Sequence, residues 1–374
     1  MATLRSTVSR IAASFRTGGA LGLRPVTAPV VVLVPLGILL GPAGADIISR
    51  AALGHLDVVI SVVLATLGVF IGIAAGTQSG SVRRLMTAST VEAAITILAV
   101  AGATYVLLAA WQMPTGMTYG LVALTLGVCA SASAAPSVEE YDNTARRVAA
   151  RVADLDDVLP IVLGGLVLSL LGGSDRGAVM DLGLSLGIGL GVAAAGLLLF
   201  ELSAGAERDV FVLGTLALLG GAAAYLDLSP LLAGLSAGWL WAHAPGETEQ
   251  VVAMHLGKVQ HPLVVILLVT AGASLQVSMA GIWLFAPYLV FRTVGKLTGG
   301  WMAARLAPGV APSDLGAYLI PPGVIGIAFA LNVLQVAPNA AMPLVFAVSA
   351  GAVVSELLAV IVTPVPVPHQ TASA

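Results

Sequence analysis

Long apolar runs separated by short polar breaks repeat along the chain from residue 26 to residue 363. A helix needs about 20 apolar residues to cross about 30 Å of hydrocarbon. Reading runs against breaks predicts twelve spans, at about 26–42, 57–76, 91–111, 118–136, 146–172, 178–201, 209–225, 228–244, 261–280, 282–305, 314–336 and 342–363. The pattern therefore predicts an all-α polytopic membrane protein, with residues 26–363 as one transmembrane unit. Residues 364–374 form a short tail. The opening stretch, 1–25, is Arg-rich with spaced apolar residues and has no secretory apolar core, which fits an interfacial amphipathic segment; a transit peptide also fits.

Composition agrees with the pattern. Hydrophobic residues are 58% of the 374, charged residues only 9%, and the mean hydropathy is +1.01. A soluble domain of this length carries about a quarter charged residues to cover its surface. The net charge of −3 comes without a basic stripe interleaved with aromatics, so nucleic acid is excluded as a partner. A single cysteine, Cys129, excludes an intrachain disulfide and a cysteine metal cluster. The five histidines, His55, His243, His255, His261 and His369, lie at helix ends and in loops without metal-ligand spacing. No cofactor is expected.

Charge in the connections sets an orientation. With the N-terminus in the cytoplasm, twelve of the sixteen Lys and Arg residues fall on the inner side, among them Arg83, Arg84, Arg146, Arg147, Arg151 and Arg305. Only Arg50 and Arg176 fall outside, while Arg292 and Lys296 lie within a span. An even span count places both termini in the cytoplasm. The connections are short, and no ATP-binding motif is present, so transport would draw on an ion gradient.

Ionisable residues inside the spans point to function. In the fifth span the apolar stretch from Val158 to Leu171 is 14 residues, about 21 Å, too short to cross. The helix must draw Asp156 and Asp157 below the interface, while Arg146, Arg147 and Arg151 snorkel outward. An ionised Asp at a helix centre costs about 2.5–3.5 kcal/mol, so the two need a partner or a proton. Lys296, one of two lysines in the chain, lies 14 residues into the tenth span, about 21 Å deep, and is the predicted partner. Arg292 is one turn earlier on the same face. Glu356 in the twelfth span either neutralises Arg292 or marks the end of its helix. Asp154 is a further carboxylate without an assigned place. Glu92, Glu201 and Asp209 fall at predicted helix ends and are expected at the interface.

Two spans are built to break. The fourth carries Ser131 and Ser133 before Pro136, and the eleventh has Pro321, Pro322 and Gly323 near its middle. Proline removes a backbone donor and clashes with the preceding turn, which is tolerated at depth only against protein or a water-filled cavity. The two spans are seven apart and run in opposite directions, as an inverted repeat requires. Interrupted helices in the two halves mark a transporter's ion site.

With these motifs in view, the sequence resembles the cation/proton antiporter superfamily, specifically its bacterial electrogenic sodium/proton antiporters. The resemblance rests on GILLGPAG in the first span, LDDVLPIV in the fifth, FRTVGKLTGGWMAARLA in the tenth and PPGVIGIAFALNV in the eleventh. It departs from the family in SAAPSVEE, which lacks a Thr-Asp pair, in Pro321 and Pro322 where relatives show Pro-Arg-Gly-Glu, and in the extra Asp154. What the resemblance implies is a pair of crossed, partly unwound helices in a core drawn from about 91–172 and 282–363, moving against a dimerisation scaffold. It also implies a homodimer in a bacterial inner membrane, Asp157 as principal cation ligand, Asp156 as partner of Lys296, and coordination completed by Ser131, Ser133 and carbonyls at the break.

The expected activity is exchange of a monovalent cation, Na+ first, with Li+ or K+ as other cargoes, against H+, the two competing for the same carboxylate oxygens. Lys296 is expected to confer electrogenicity. An Na+-coupled symporter of an organic anion shares the crossed-helix architecture and is the alternative; a channel or a membrane-embedded hydrolase would fit the residues less well.

Overall fold

The computed structural model describes residues 29–76, 80–113, 115–134, 144–172, 176–203, 206–244, 248–308 and 311–362. The predicted amphipathic segment 1–25, Pro136 and the tail 364–374 lie outside the described residues.

Each of the twelve predicted spans has a helical counterpart. In the first half these are α1 (Pro29–Leu40), the short α2 (Arg50–His55), α3 (Asp57–Gly76), α4 (Gly80–Trp111), α5 (Tyr119–Ser131), α6 (Thr144–Asp156) and α7 (Val158–Leu171). The second half comprises α8 (Ala178–Leu202), α9 (Ala206–Tyr225), α10 (Pro230–Ala242), α11 (Thr248–Ala273), α12 (Met279–Leu306), α13 (Leu315–Tyr318), α14 (Val324–Val336) and α15 (Pro338–Val362). Six of these helices are long and apolar enough to cross a membrane, and α1, α5, α10 and α14 are shorter apolar helices.

Boundaries differ from expectation where hydropathy and helix are different things. The third span starts at Gly80 rather than near 91, and the ninth at Thr248 rather than near 261, because polar tracts rich in Arg, Thr, Gln and His continue the helix beyond its apolar part. The fifth span divides at Asp157. Pro160 has no N–H to give the Asp156 carbonyl and its ring crowds that turn, so helical bonding resumes from Ile161 N to Asp157 O at 3.1 Å.

Both expected interruptions are present. Helix α5 ends at Ser131, and Ala132 continues in extended backbone (φ −63°, ψ 134°). The eleventh span begins as the single turn α13, then unwinds through 319–323 before α14 starts. Pro321 and Pro322 dictate this, since each lacks an N–H and forces the residue before it out of the helical region. The two unwound strands cross as antiparallel neighbours. Ala134 donates to the Pro321 carbonyl at 2.9 Å, Gly323 donates to the Ala132 carbonyl at 3.1 Å, and Ser133 bridges Pro322. Beyond the crossing, a Cβ on Gly326 would stand 2.2 Å from the Cys129 carbonyl, so only glycine lets α14 lie this close to α5.

Around the crossing, α12 packs on α4 and α15, α4 on α5, and α14 on α15. Elsewhere α3 packs on α10 and α9, α10 on α8, and α1 on α11. The second group has its own apolar cluster, including Val69, Leu216, Leu219, Ala237 and Trp241. Trp241 is fully buried and donates its indole N–H to the Ala193 carbonyl at 3.0 Å. A cavity of about 650 Å³ opens where the ends of α11 and α14 meet the start of α3, lined by Asp57, Thr270, Gln276, Leu331 and Gln335 among others.

Replacing Gly326 by Ala should force the two broken helices apart and cost about 1–3 kcal/mol. The midpoint of thermal unfolding of the detergent-solubilised protein should fall, whereas Gly257→Ala, with nothing within 4 Å of the added carbon, should leave it unchanged or raise it. Equal midpoints for the two variants would contradict this account of the crossing.

Candidate ion-binding site

An α-helix leaves its last four carbonyls without intrahelical partners. For α5, which stops inside the protein, those carbonyls cannot be left bare, because burying a polar group without a hydrogen bond costs about 1–3 kcal/mol. Helix α12 supplies the donors. Tyr288, Arg292 and Lys296 recur every four residues and so share one face, and all three are buried. The Tyr288 hydroxyl donates to the Cys129 carbonyl at 3.4 Å, Arg292 to the Ala132 carbonyl at 3.0 Å, and the Lys296 ammonium to the Ser131 carbonyl. Arg292 also donates to the Ile320 carbonyl at 2.6 Å, in the other break. One guanidinium thereby caps both unwound segments. Its bonds go to backbone rather than to Glu356, which is half-buried and makes no ion pair with it among the described residues.

Lys296 is completely buried. Its ammonium has three N–H groups and meets three acceptors. Besides the Ser131 carbonyl these are Asp156 Oδ2 at 3.0 Å and the Glu92 carboxylate, whose two oxygens lie 3.1 and 3.2 Å away. The predicted Lys296–Asp156 pair is formed. Ser133 donates its hydroxyl to Asp156 Oδ2 at 2.7 Å, and Thr96 donates to Glu92 Oε1 at 2.9 Å. A buried ion pair offsets its desolvation only when the remaining hydrogen bonds are also made. For Lys296 and Glu92 they are.

Glu92 overturns an expectation. Placed at the interface by the hydropathy boundary, it is fully buried, since α4 begins at Gly80 and residue 92 lies twelve residues inside it, about 18 Å along the axis. Gly299 of α12 allows the approach, because a Cβ there would meet the Glu92 carbonyl at 2.9 Å. A sequence signal existed in the spacing of Glu92 and Thr96, which face the same side of α4, and in Gly295 and Gly299 flanking Lys296.

Asp157 is buried beside this network, and its Oδ1 has no hydrogen-bond partner. The same holds for Asp156 Oδ1 and for the Ser131 hydroxyl. Three hard oxygens near the crossing are therefore uncommitted, and buried polar atoms without partners are rare enough to need an explanation. Hard monovalent cations take such oxygens, by extension from Ca2+ and Mg2+. Asp154 is half-buried one turn before, in the field of Arg151. Pro321, Pro322 and Gly323 contribute backbone to the crossing and no side-chain donor atom. Asp209 is half exposed and pairs with His255, His243 bonds the Trp239 carbonyl, and the described residues contain no metal-type grouping of His, Cys, Asp and Glu. The Glu201 side chain and His369 lie outside the described residues.

No family model and no curated relative matches the sequence. The fold does match a solved structure, the sodium proton antiporter MjNhaP1 from Methanocaldococcus jannaschii at pH 8, with a TM-score of 0.63 at 17% identity over 96% of this chain and 93% of that one. The chain has the fold of that antiporter, with crossed, broken helices in an all-helical membrane-protein architecture.

Lys296→Met should leave Glu92 and Asp156 buried without their cation and destabilise the protein by about 3–5 kcal/mol. The exposed Lys258 is the control. If Lys258→Met and Lys296→Met unfold at the same temperature in detergent, the network contributes no stability.

Proposed function

We propose that this chain is a secondary antiporter that exchanges a monovalent cation, Na+ first, for H+ by alternating access. Asp157 and Asp156 are the groups for which cation and proton compete. The observation that carries the reading is the burial of both aspartates where two broken helices cross, with one oxygen of each and the Ser131 hydroxyl free of hydrogen bonds. In this reading Asp157 is the main ligand, because Asp156 already gives Oδ2 to Lys296 and Ser133. The likeness to a sodium proton antiporter supports the same class of transport.

The mechanism follows from one rule. In a low-dielectric interior the acid pair is costly when bare, so the site crosses the membrane only when loaded with a cation or a proton. The helices around the crossing, about 91–172 and 282–363, would move as the core against the remaining helices as scaffold. The location that accompanies this reading is a bacterial inner membrane, with both termini cytoplasmic and two copies forming a dimer. An organic-anion symporter would want substrate-binding side chains at both breaks; here the α13–α14 break offers backbone and prolines. A K+/H+ antiporter uses the same site with a larger ion.

Asp157→Ala should abolish pH-gradient dissipation in proteoliposomes when Na+, Li+ and K+ are added in turn. Substantial cation-driven proton movement in that variant would refute its role. Because the protonated acid excludes the cation, the concentration for half-maximal exchange by the wild type should rise as pH falls, approaching about tenfold per pH unit where the site is mostly protonated. A half-maximal concentration independent of pH would rule out competition.

A further inference from the structure

The cavity of about 650 Å³ lies at one end of α3, where Asp57 and Ile60 line it. At the other end of that helix Ala75 packs on a separate apolar cluster. Asp57 and Ala75 are 18 residues apart, about 27 Å along the axis, so the cavity belongs to one face of the membrane unit. It sits between α2, α3 and α11 on one side and α14 and α15 on the other, the boundary of scaffold and core in the cycle proposed above. Helix α14 is apolar except for Asn332 and Gln335. Three residues apart, they share a face of the helix, with Asn332 nearer the crossing. Gln335 lines the cavity, donates to the Asp57 carbonyl at 2.9 Å and accepts from the Asn332 amide at 3.2 Å. Asn332 is 3% exposed, and its Oδ1 has no hydrogen-bond partner.

The two amides form a short string with a direction. Each gives an N–H to the neighbour nearer the mouth, so the deep end of the string is a free oxygen. Leaving such an oxygen buried and unpaired costs about 1–3 kcal/mol, which calls for an explanation. An acceptor there suits a cation and repels an anion. At the rim the exposed Asp57 and Arg50 both line the cavity, so their charges cancel and the oxygens decide which sign of ion is held. Asn332 lies nine residues beyond Gly323, about 14 Å of helix from the crossing, and so marks a place apart from it. Resting on the antiporter reading above, we propose that this cavity is a second, weaker cation site, where Asn332 Oδ1 and Gln335 Oε1 replace the first waters of a hydrated Na+ or Li+ before it passes to the crossing. Asp57 draws the ion to the mouth, and the amides begin its dehydration.

The test places a reporter thiol in the cavity of the full-length protein. The single native cysteine, Cys129, is buried, and Leu334 lines the cavity beside both amides, so L334C gives a membrane-impermeant thiosulfonate one target. Na+ or Li+ should slow its modification, about threefold at twice the dissociation constant, whereas choline at equal ionic strength should not. The slowing should persist in L334C/D157A, which lacks the main ligand at the crossing, and vanish when N332L is added. In transport, N332L alone should raise the cation concentration for half-maximal exchange and keep the maximal rate. Slowing that disappears in L334C/D157A places the cation at the crossing only and overturns the proposal, as does full slowing in the presence of N332L. A thiol that is never modified means a cavity without water, and slowing that follows the anion assigns the cavity to Arg50; each also overturns it. Should N332L not fold, L334C/D157A decides alone. A wild type that exchanges no cation for protons removes the antiporter reading, while the slowing in L334C/D157A still tests the cavity as a cation site.

Discussion

A helix that stops in the interior of a membrane protein exposes carbonyl oxygens to surroundings that offer no water, and every other feature of this site follows from how those oxygens are satisfied. Here the donors are an ammonium, a guanidinium and a phenol, spaced one turn apart on α12. Two of the three are cations, so capping the break brings positive charge to the centre of the protein. Positive charge must be balanced there by carboxylates, and carboxylates in excess of that balance are the groups able to take up a mobile cation or proton. Chain interruption and ion chemistry are thus one physical problem with one solution.

The surrounding packing serves that solution. Glycine at 326 lets the two broken helices touch, and Gly299 lets α12 approach α4 closely enough for Lys296 to reach Glu92. Apolar side chains close one end, where Leu85, Val152, Leu155, Ala303 and Leu315 form a cluster across α4, α6, α12 and α13. Water is kept from the ion pairs, and their mutual attraction is strong for that reason.

Much of this was legible in the sequence because membrane burial amplifies a few residues. In so apolar a chain a charge inside a span stands out, so Asp156, Asp157, Arg292 and Lys296 could be read directly, whereas the choice of Asp156 as the partner of Lys296 came from the family resemblance. The prolines at 321 and 322 announced one break, and the small residues around Ser131 and Ser133 the other. Glu92 was hidden by the same logic that exposed the others. Hydropathy detects where a helix becomes apolar, whereas α4 begins about eleven residues earlier in a polar tract, and a residue assigned to an interface is in fact buried inside the protein. The role of Arg292 was also out of reach, because its partners are backbone carbonyls, which every residue carries and no pattern distinguishes.

The grip of Arg292 on two carbonyls, Ala132 in one interruption and Ile320 in the other, has a mechanical meaning. A guanidinium is flat and stiff, and its two nitrogens sit at fixed separation. Holding one strand with each, it acts as a yoke: neither strand can slide, tilt or rise without dragging its neighbour and the α12 backbone along. In the transport cycle proposed above, the X-shaped centre would travel as a single lever, with the hinge outside it.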